Sequence, residues 1–213
     1  LARGLGSSSS ALIAGLAMAN ILSDLNLSND TLLLNATVLE GHPDNVAPAL
    51  LGGGVAAYYD GSHVFHAPLK MPKNIDFVTF IPNYKLLTSA ARSALPDSLS
   101  FHESVAASAI SNTLVAALNA NDFATAGELI EQDHFHENAR ATLVPHLAVI
   151  RQVAHKLNIV GTYLSGAGPT VMTIVAKDQT DILLSELLGA HLPGQVKILK
   201  QDLMGLTIMK EEN

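Results

Sequence analysis

A glycine–serine segment runs directly into a long apolar stretch at the start of the chain, in the order LARGLGSSSSALIAGLAMAN. Gly4 and Gly6 permit backbone angles that are closed to other residues and let a ligand approach the backbone closely. The serines stand where the first turn of a helix is expected, and the unpaired N–H groups and partial positive charge of that turn favour an anion. The segment therefore predicts a phosphate site, with a simple N-capped helix or a linker as the alternatives.

The first part of the chain is predicted to be helical and then to form a hairpin. Residues 8–25 read as a buried helix, and TLLLNATVLEG reads as a second helix that Ser28 or Asp30 can cap and Gly41 can close. Further along, two strands are predicted around Asp60-Gly61, which is a strong hairpin signal. A change of composition around residues 68–72 indicates a domain boundary.

The rest of the chain predicts an α+β sandwich. The strand IDFVTFIP is followed by several helices, by the strands VGTYLSG and PTVMTIVA, by the helix QTDILLSELLG and by the strand QVKILK. This order of elements is typical of a sheet that carries helices on one face.

Composition limits the classes of function. A formal net charge of −7 argues against general binding of nucleic acid, since such a surface needs clustered Lys and Arg. The longest apolar run is too short to span a membrane. The chain has no cysteine, which excludes disulfides and thiolate metal sites and fits a cytoplasmic location.

Three motifs resemble those of the GHMP kinases, the family of galacto-, homoserine, mevalonate and phosphomevalonate kinases. LARGLGSSSSALIAG is similar to the second motif of the family and YLSGAGPTVMTIV to the third, and EGHPDNVAPALLGG resembles the form found in the branch that phosphorylates homoserine. The resemblance implies a partial N-terminal ribosomal-S5-like α/β domain over residues 1–70 and a C-terminal ferredoxin-like α+β sandwich over residues 71–213. It also implies that an N-terminal part of the family's fold precedes residue 1.

The resemblance implies ATP and Mg²⁺ as the cofactors. Residues of the glycine–serine segment would wrap the triphosphate, namely Arg3, Gly4, Leu5, Gly6, Ser7, Ser8 and Ser9. The magnesium ion would be held by Ser8 and by Glu40, since a hard cation that also binds phosphates needs few protein carboxylates.

The same resemblance places catalysis at His42, Asp44 and Asn45, where the substrate hydroxyl would meet the γ-phosphate. Phosphoryl transfer needs positioning and charge neutralisation more than a strong base. Asp44 is therefore expected either to accept the hydroxyl proton or only to orient the hydroxyl together with Asn45.

An amino-acid substrate needs a partner for its carboxylate, and the planar guanidinium of arginine suits that group best. Thr88 and Arg92 stand four residues apart on one face of a predicted helix, and they resemble a substrate-contacting stretch of the family, as does the segment around Arg140. The glycine loop of the third motif adds Gly166. The implied substrate is L-homoserine, and the implied assembly is a possible homodimer without nucleic acid or membrane partners.

Two rival functions stay open at this point. One is a GHMP kinase for mevalonate or a sugar, and the other is a non-catalytic nucleotide-binding sensor with the same fold. Two other clusters are read as ordinary structure. His134, His136 and Glu137 lack the further ligands that a metal site needs, and Arg151, His155 and Lys156 read as the solvated face of a helix.

Overall fold

The computed structural model describes residues 3–209, which form two compact units. We call residues 6–71 and 202–209 the hairpin unit, and residues 3–5 and 72–201 the sheet unit. The chain passes from the sheet unit to the hairpin unit between Leu5 and Gly6.

The hairpin unit contains three helices and a two-stranded antiparallel sheet. They are α1 (Ser7–Leu22), α2 (Asn29–Glu40), α3 (Val46–Leu51), β1 (Gly54–Tyr59) and β2 (Val64–Leu69). A core packs between these elements around buried aliphatic side chains, among them Ile13, Leu33, Val46 and Leu50. The predicted hairpin is confirmed, and the Asp60 carboxylate stabilises its turn by accepting the N–H groups of Ser62 and His63.

The ends of α2 follow the sequence signals. Ser28 caps the helix by accepting the N–H of Thr31 at 3.2 Å. Gly41 closes it with a φ of 90°, a left-handed conformation that a residue without a Cβ adopts at low cost. Glu40 is therefore held at the very end of a well-defined helix.

The first helix differs from its prediction in length and in burial. It ends at Leu22, and the Asn20 amide oxygen accepts the N–H of Leu27 at 2.9 Å, which folds the following loop back on the helix. Only Ser9, Ile13 and Ala17 are buried, whereas Leu22 is 83% exposed. A helix that is apolar all round carries no pattern that selects its buried face, so packing alone decides it.

The sheet unit has a four-stranded antiparallel sheet in the order β4-β5-β3-β6. Its strands are β3 (Ile75–Pro82), β4 (Thr162–Leu164), β5 (Val171–Ala176) and β6 (Gly194–Leu199). Together with the helices after β3 and after β5 this is the ferredoxin-like βαββαβ arrangement, which confirms the predicted fold class.

Six α-helices and one short 3-10 helix (Lys177–Gln179) complete this unit. The α-helices are α4 (Thr88–Ser93), α5 (Phe101–Ala120), α6 (Phe123–Ile130), α7 (Glu137–Arg140), α8 (His146–Lys156) and α9 (Thr180–Gly189). α8 packs on β4 and β5, and α9 packs on β3 and β6. Their core includes Phe80, Ile150, Val171 and Leu183. The packing fixes β4 as one edge of the sheet, and the glycine loop of residues 165–168 follows directly from it.

Candidate active site

The start of α1 has the properties of an anion site. Gly6 stands at the N-cap position with φ 66° and ψ 21°, and no side chain caps the helix within the described residues. Three other helices, α2, α5 and α6, are capped by the side chains of Ser28, Ser100 and Asp122, whereas over the same described range α3, α4, α7, α8 and α9 have no side-chain cap either. The first amides of α1 therefore keep their donors for a ligand, although four serines are close by.

The serines of α1 face a carboxylate. The Ser8 hydroxyl donates to Glu40 Oε2 and the Ser9 hydroxyl donates to Glu40 Oε1, each at 3.2 Å. Two hydroxyls and one carboxylate form a set of hard oxygen donors, the ligand type that Mg²⁺ prefers. The residues present thus fit the metal that the resemblance implies.

The His-Pro-Asp-Asn segment lies beside the same glycine. A Cβ built on Gly6 would be 3.5 Å from Asn45 Oδ1, so the Asn45 amide is next to the start of α1. His42 Nδ1 and the Asn45 amide both hydrogen-bond Asp44 Oδ1, the latter at 3.3 Å. The Asp44 side chain is 69% exposed and stays accessible from solvent.

In the sheet unit, residues 3 and 4 lie on the glycine loop of the third motif. The Ser165 hydroxyl donates to Gly4 O at 2.6 Å, and the N–H of Thr170 donates to Arg3 O at 3.3 Å. Gly4 has φ 75°, and a Cβ added there would be 2.3 Å from Ser165 O. Only glycine fits this contact, which joins segments 161 residues apart in the chain.

Arg3 and Leu5 complete the predicted phosphate segment. The Arg3 guanidinium hydrogen-bonds Pro82 O at the end of β3, and the Leu5 side chain is exposed. Arg3 therefore anchors its segment to the sheet with its guanidinium as well as with its carbonyl.

The two arginines predicted to bind a carboxylate differ in exposure. Arg140 is only 5% exposed, and its guanidinium donates to Ala91 O at 3.0 Å and to Gly166 O at 3.1 Å. Arg92 is exposed on α4, as is Thr88 one turn before it. Neither arginine forms an ion pair with an acid of residues 3–209.

The pKa of Arg140 depends on its surroundings, which include Arg92. Burial lowers the pKa of the Arg140 guanidinium and the neighbouring charge of Arg92 lowers that pKa further, whereas Asp133 raises it. Two cations that repel each other gain from an anion placed beside them.

The interpretation as a solvated face is wrong for Arg151, which is partly buried, whereas His155 and Lys156 are exposed as predicted. Arg151 forms ion pairs with Glu131 at 3.3 Å and with Glu137 at 2.8 Å, and His155 Nε2 lies 2.7 Å from Glu131. Both carboxylates are buried and also accept backbone N–H groups of β4 and the residue before it. The available signal in the sequence was the position of Arg151 directly after the apolar run of residues 147–150 in α8.

Sequence reasoning also missed Ser165 and His146. His146 is the first residue of α8 and lies 2.8 Å from Pro169 O through its Nε2, directly after the glycine loop. Its position behind Pro145, at a helix start, gave no indication of this contact.

His134 and His136 lie on the loop before α7, and His136 Nδ1 pairs with Asp133 at 3.0 Å. Within residues 3–209, no three His, Asp or Glu side chains are grouped so that they could hold a metal ion. None of the helices over the same range combines the length and apolarity needed to cross a membrane.

Known proteins with similar sequences include members of one family of kinases. The model of the GHMP kinases N terminal domain matches residues 1–53, and that of the GHMP kinases C terminal matches residues 114–193. A homoserine kinase of Leuconostoc mesenteroides subsp. mesenteroides is 67% identical over 99% of this chain and 72% of its own length. The chain belongs to the GHMP kinase family. A homoserine kinase of Leuconostoc citreum is 57% identical over the whole chain and 73% of its own length.

Solved structures of the family have the same fold. A homoserine kinase of Cytophaga hutchinsonii superposes with a TM-score of 0.83 at 27% identity, over 96% of this chain and 68% of its own. A mevalonate kinase of L. major, at 20% identity and a TM-score of 0.73, shares the fold over 96% of this chain and 67% of its own. As a GHMP kinase, the chain uses ATP as its phosphoryl donor. The matched segments include the serines, Glu40, Asp44, Arg140 and Gly166, while Thr88 and Arg92 lie between them.

Proposed function

We propose that this GHMP kinase transfers the γ-phosphoryl group of ATP to the side-chain hydroxyl of L-homoserine, which yields O-phospho-L-homoserine, the precursor used in threonine biosynthesis. The observation that carries the proposal is the identity of 67% and 57%, over 99% and 100% of this chain, to relatives named homoserine kinase. The chemistry of the residues described above supports it at each step.

The phosphates of ATP are assigned to the start of α1. The uncapped amides of Ser7, Ser8 and Ser9 donate to phosphate oxygens, and the partial positive charge of a helix start favours the anion. Gly4 and Gly6 supply left-handed turns that expose the backbone of the segment, and Arg3 and Leu5 belong to the same segment.

Ser8 and Glu40 are assigned as the protein ligands of the magnesium ion. A magnesium ion held by these residues would supply neutralisation of the charge on the phosphate oxygens. Glu40 has no basic partner among the described residues and bonds only the two serine hydroxyls, so its oxygens are available to a cation.

Asp44 is assigned to the substrate hydroxyl. Its Oδ1 is bonded by His42 and Asn45, which fix the orientation of the carboxylate. The exposed carboxylate orients the hydroxyl for in-line attack and receives its proton as the new O–P bond forms and the bond from the γ-phosphorus to the bridging oxygen breaks, which releases ADP. Orientation supplies most of the effect, because a loose transition state demands little base strength.

Arg92, Arg140 and Thr88 are assigned to the carboxylate of homoserine. Burial is the main cause of the lowered pKa of Arg140, and the charge of Arg92 adds to it, so a carboxylate placed beside both guanidinium groups favours their charged forms. A carboxylate also offers the planar acceptor that guanidinium groups bind with two parallel bonds. Gly166, whose carbonyl is held by Arg140, presents the glycine loop to the same ligand. The homodimer and the cytoplasmic location remain predictions.

The experiment that tests this function is a coupled ADP-release assay on the full-length protein with homoserine, mevalonate and galactose as alternative acceptors. We expect turnover with homoserine at least about 100-fold more efficient, because neither mevalonate nor galactose presents an amino-acid head group. Faster turnover of mevalonate or galactose would show that the protein is a GHMP kinase for that other substrate. Tight ATP binding without turnover of any acceptor would identify a nucleotide sensor instead.

A further inference from the structure

The outer edge of β4 is bonded by charged side chains instead of another strand. Glu131 Oε1 accepts the N–H groups of Gly161 and Thr162, each at 2.8 Å, and Glu137 Oε1 accepts the N–H of Leu164 at 2.9 Å. Arg151 donates to Thr162 O at 2.6 Å. An edge strand whose polar groups are satisfied in this way is fixed in position without a neighbouring strand.

The two carboxylates reach β4 from different elements. Glu131 follows the end of α6 and contacts the beginning of β4. Glu137 is the first residue of α7 and contacts Leu164, the last residue of β4 and two residues before Gly166. Only Glu137 is therefore connected to the point at which the strand becomes the glycine loop.

α7 is a single turn with a bond to this segment at each of its ends. Glu137 at its start holds Leu164, and Arg140 at its end holds Gly166 O and, through Nε, Ala91 O of α4. Ala91 is the neighbour of Arg92 in the chain. The four-residue helix thus links the end of β4, the glycine loop and the helix that carries Arg92.

Arg151 keeps Glu137 in this arrangement. Its guanidinium lies 2.8 Å from Glu137 Oε2, while the Glu137 Oε1 atom accepts the backbone bond. Both oxygens of a side chain that is only 6% exposed are therefore partnered. A buried carboxylate with this set of partners has one favourable orientation, because any other leaves polar groups unsatisfied.

We propose that Glu137 is a positioning residue of the kinase reaction: through α7 it sets the placement of Arg140 and of the glycine loop, and so the binding of the substrate carboxylate. The inference rests on the proposed function. The Glu131 side chain is as buried as that of Glu137 and also pairs with Arg151. Its bonds to the backbone are at Gly161 and Thr162, however, and none of them reaches the glycine loop.

The test compares matched variants of the full-length protein, Glu137→Ala with Glu131→Ala and Glu137→Gln with Glu131→Gln. We expect Glu137→Ala to raise the KM for homoserine about tenfold with the KM for ATP changed less than about twofold, because a small displacement of a binding group has an effect of this size. Glu137→Gln restores part of the loss, since its amide oxygen still accepts the N–H of Leu164. The Glu131 variants lower Tm by a similar amount and leave the homoserine KM within about twofold of the wild type.

A homoserine KM that changes equally in both series, or that stays constant in the Glu137 series while Tm falls, overturns the inference and leaves Glu137 a stabilising residue only. If the Ala variants fail to fold, the two Gln variants decide the same question. Hydrogen exchange of residues 164–168 gives a readout without turnover. Faster exchange is expected for Glu137→Gln, because its neutral amide oxygen accepts the N–H of Leu164 more weakly than the carboxylate does, and no such change is expected for Glu131→Gln. Absence of homoserine turnover in the wild type would refute the proposed function, while the exchange experiment would still decide whether Glu137 orders the loop.

Discussion

Arg92 and Arg140 show how the surroundings of one residue type decide its role. Arg140 is buried and donates from two of its nitrogen atoms to the backbone carbonyls of Ala91 and Gly166. It therefore links α4 to the glycine loop. Arg92 is exposed and has no acidic partner among residues 3–209, so all of its donors are open to a ligand. The two residues therefore call for different experiments.

Replacement of Arg92 by Leu is expected to raise the KM for homoserine about 100-fold or more, with the KM for ATP nearly unchanged, because a charge-assisted hydrogen bond pair to the carboxylate is lost. Arg92→Lys keeps the charge but not the forked geometry, so its KM for homoserine is expected to lie between those of the wild type and of Arg92→Leu. Lys85→Leu serves as the control for loss of an exposed positive charge in the same unit. Equal losses for homoserine and ATP would argue against a carboxylate ligand at Arg92.

Glu40→Gln is expected to lower kcat at least about tenfold and to raise the Mg²⁺ concentration needed for half-maximal activity, because the metal loses its charged ligand. The amide oxygen still accepts one serine hydroxyl and the amide N–H group can donate to the other serine oxygen, so Tm should hardly change. Asp30→Asn, in the first turn of the same helix, removes a charge without this effect. An unchanged Mg²⁺ dependence in Glu40→Gln would exclude Glu40 as a ligand.

At the scale of elements, the contact of residues 3 and 4 with the glycine loop brings together two motifs that lie 161 residues apart in the chain. Gly4 allows it by its left-handed backbone and by the lack of a Cβ at the Ser165 carbonyl. Gly41 has a similar positive φ, but nothing lies within 4 Å of a Cβ added there. Substitutions at Gly4 and Gly41 therefore allow the cost of backbone strain to be measured separately from the cost of a steric clash.

Gly41→Ala is expected to cost about 1 kcal/mol of unfolding free energy, the strain of a left-handed residue with a Cβ. Gly4→Ala carries the same strain and in addition forces the backbone of residues 165–168 to move, which adds about 1–3 kcal/mol. Urea denaturation of both variants measures the difference. Equal losses in the two proteins would show that the contact at Gly4 adapts freely.

At the scale of the whole molecule, the stability of the fold is coupled to one buried imidazole. His146 is 7% exposed, packs against Phe80 and Tyr84 with ring centroids 5.1 Å and 6.0 Å away, and its Nε2–H donates to Pro169 O in the neutral form. Burial lowers the pKa of His146 below 6.5, although the bond to Pro169 O acts in the opposite direction. The burial of Tyr84 raises the pKa of its phenol, which therefore stays neutral around and below pH 7.

Because the folded state binds the proton of His146 less well than the unfolded state, stability from this group is complete above pH 6.5 and falls as the pH drops through the lowered pKa. His146→Gln keeps an N–H donor for Pro169 O but does not titrate. We expect the Tm of the wild type to decline more steeply than that of His146→Gln between pH 6.5 and the acid limit of folding. Parallel curves would show that His146 does not control this part of the pH profile.

The helices and strands could be predicted from the sequence because capping residues, turns and alternating patterns are local features. Ser28 and Gly41 mark the ends of α2, Asp60-Gly61 marks the hairpin, and the alternation of IDFVTFIP marks β3. The buried face of α1 was not accessible, since a uniformly apolar helix shows no preferred side until it packs. The site residues assigned by resemblance remain predictions, whereas their positions are now described.

The sequence by itself determined the family, the order of the elements and the residue types able to bind phosphate, metal and carboxylate, because those depend on local patterns and short motifs. Only the tertiary structure decided that Ser9 meets Glu40, that Gly4 lies under Ser165 and that Glu131 and Glu137 close the edge of β4 around Arg151. These contacts join residues far apart in the chain. Their partners are chosen by which buried polar groups must be satisfied once the elements have packed, and no local pattern encodes that choice.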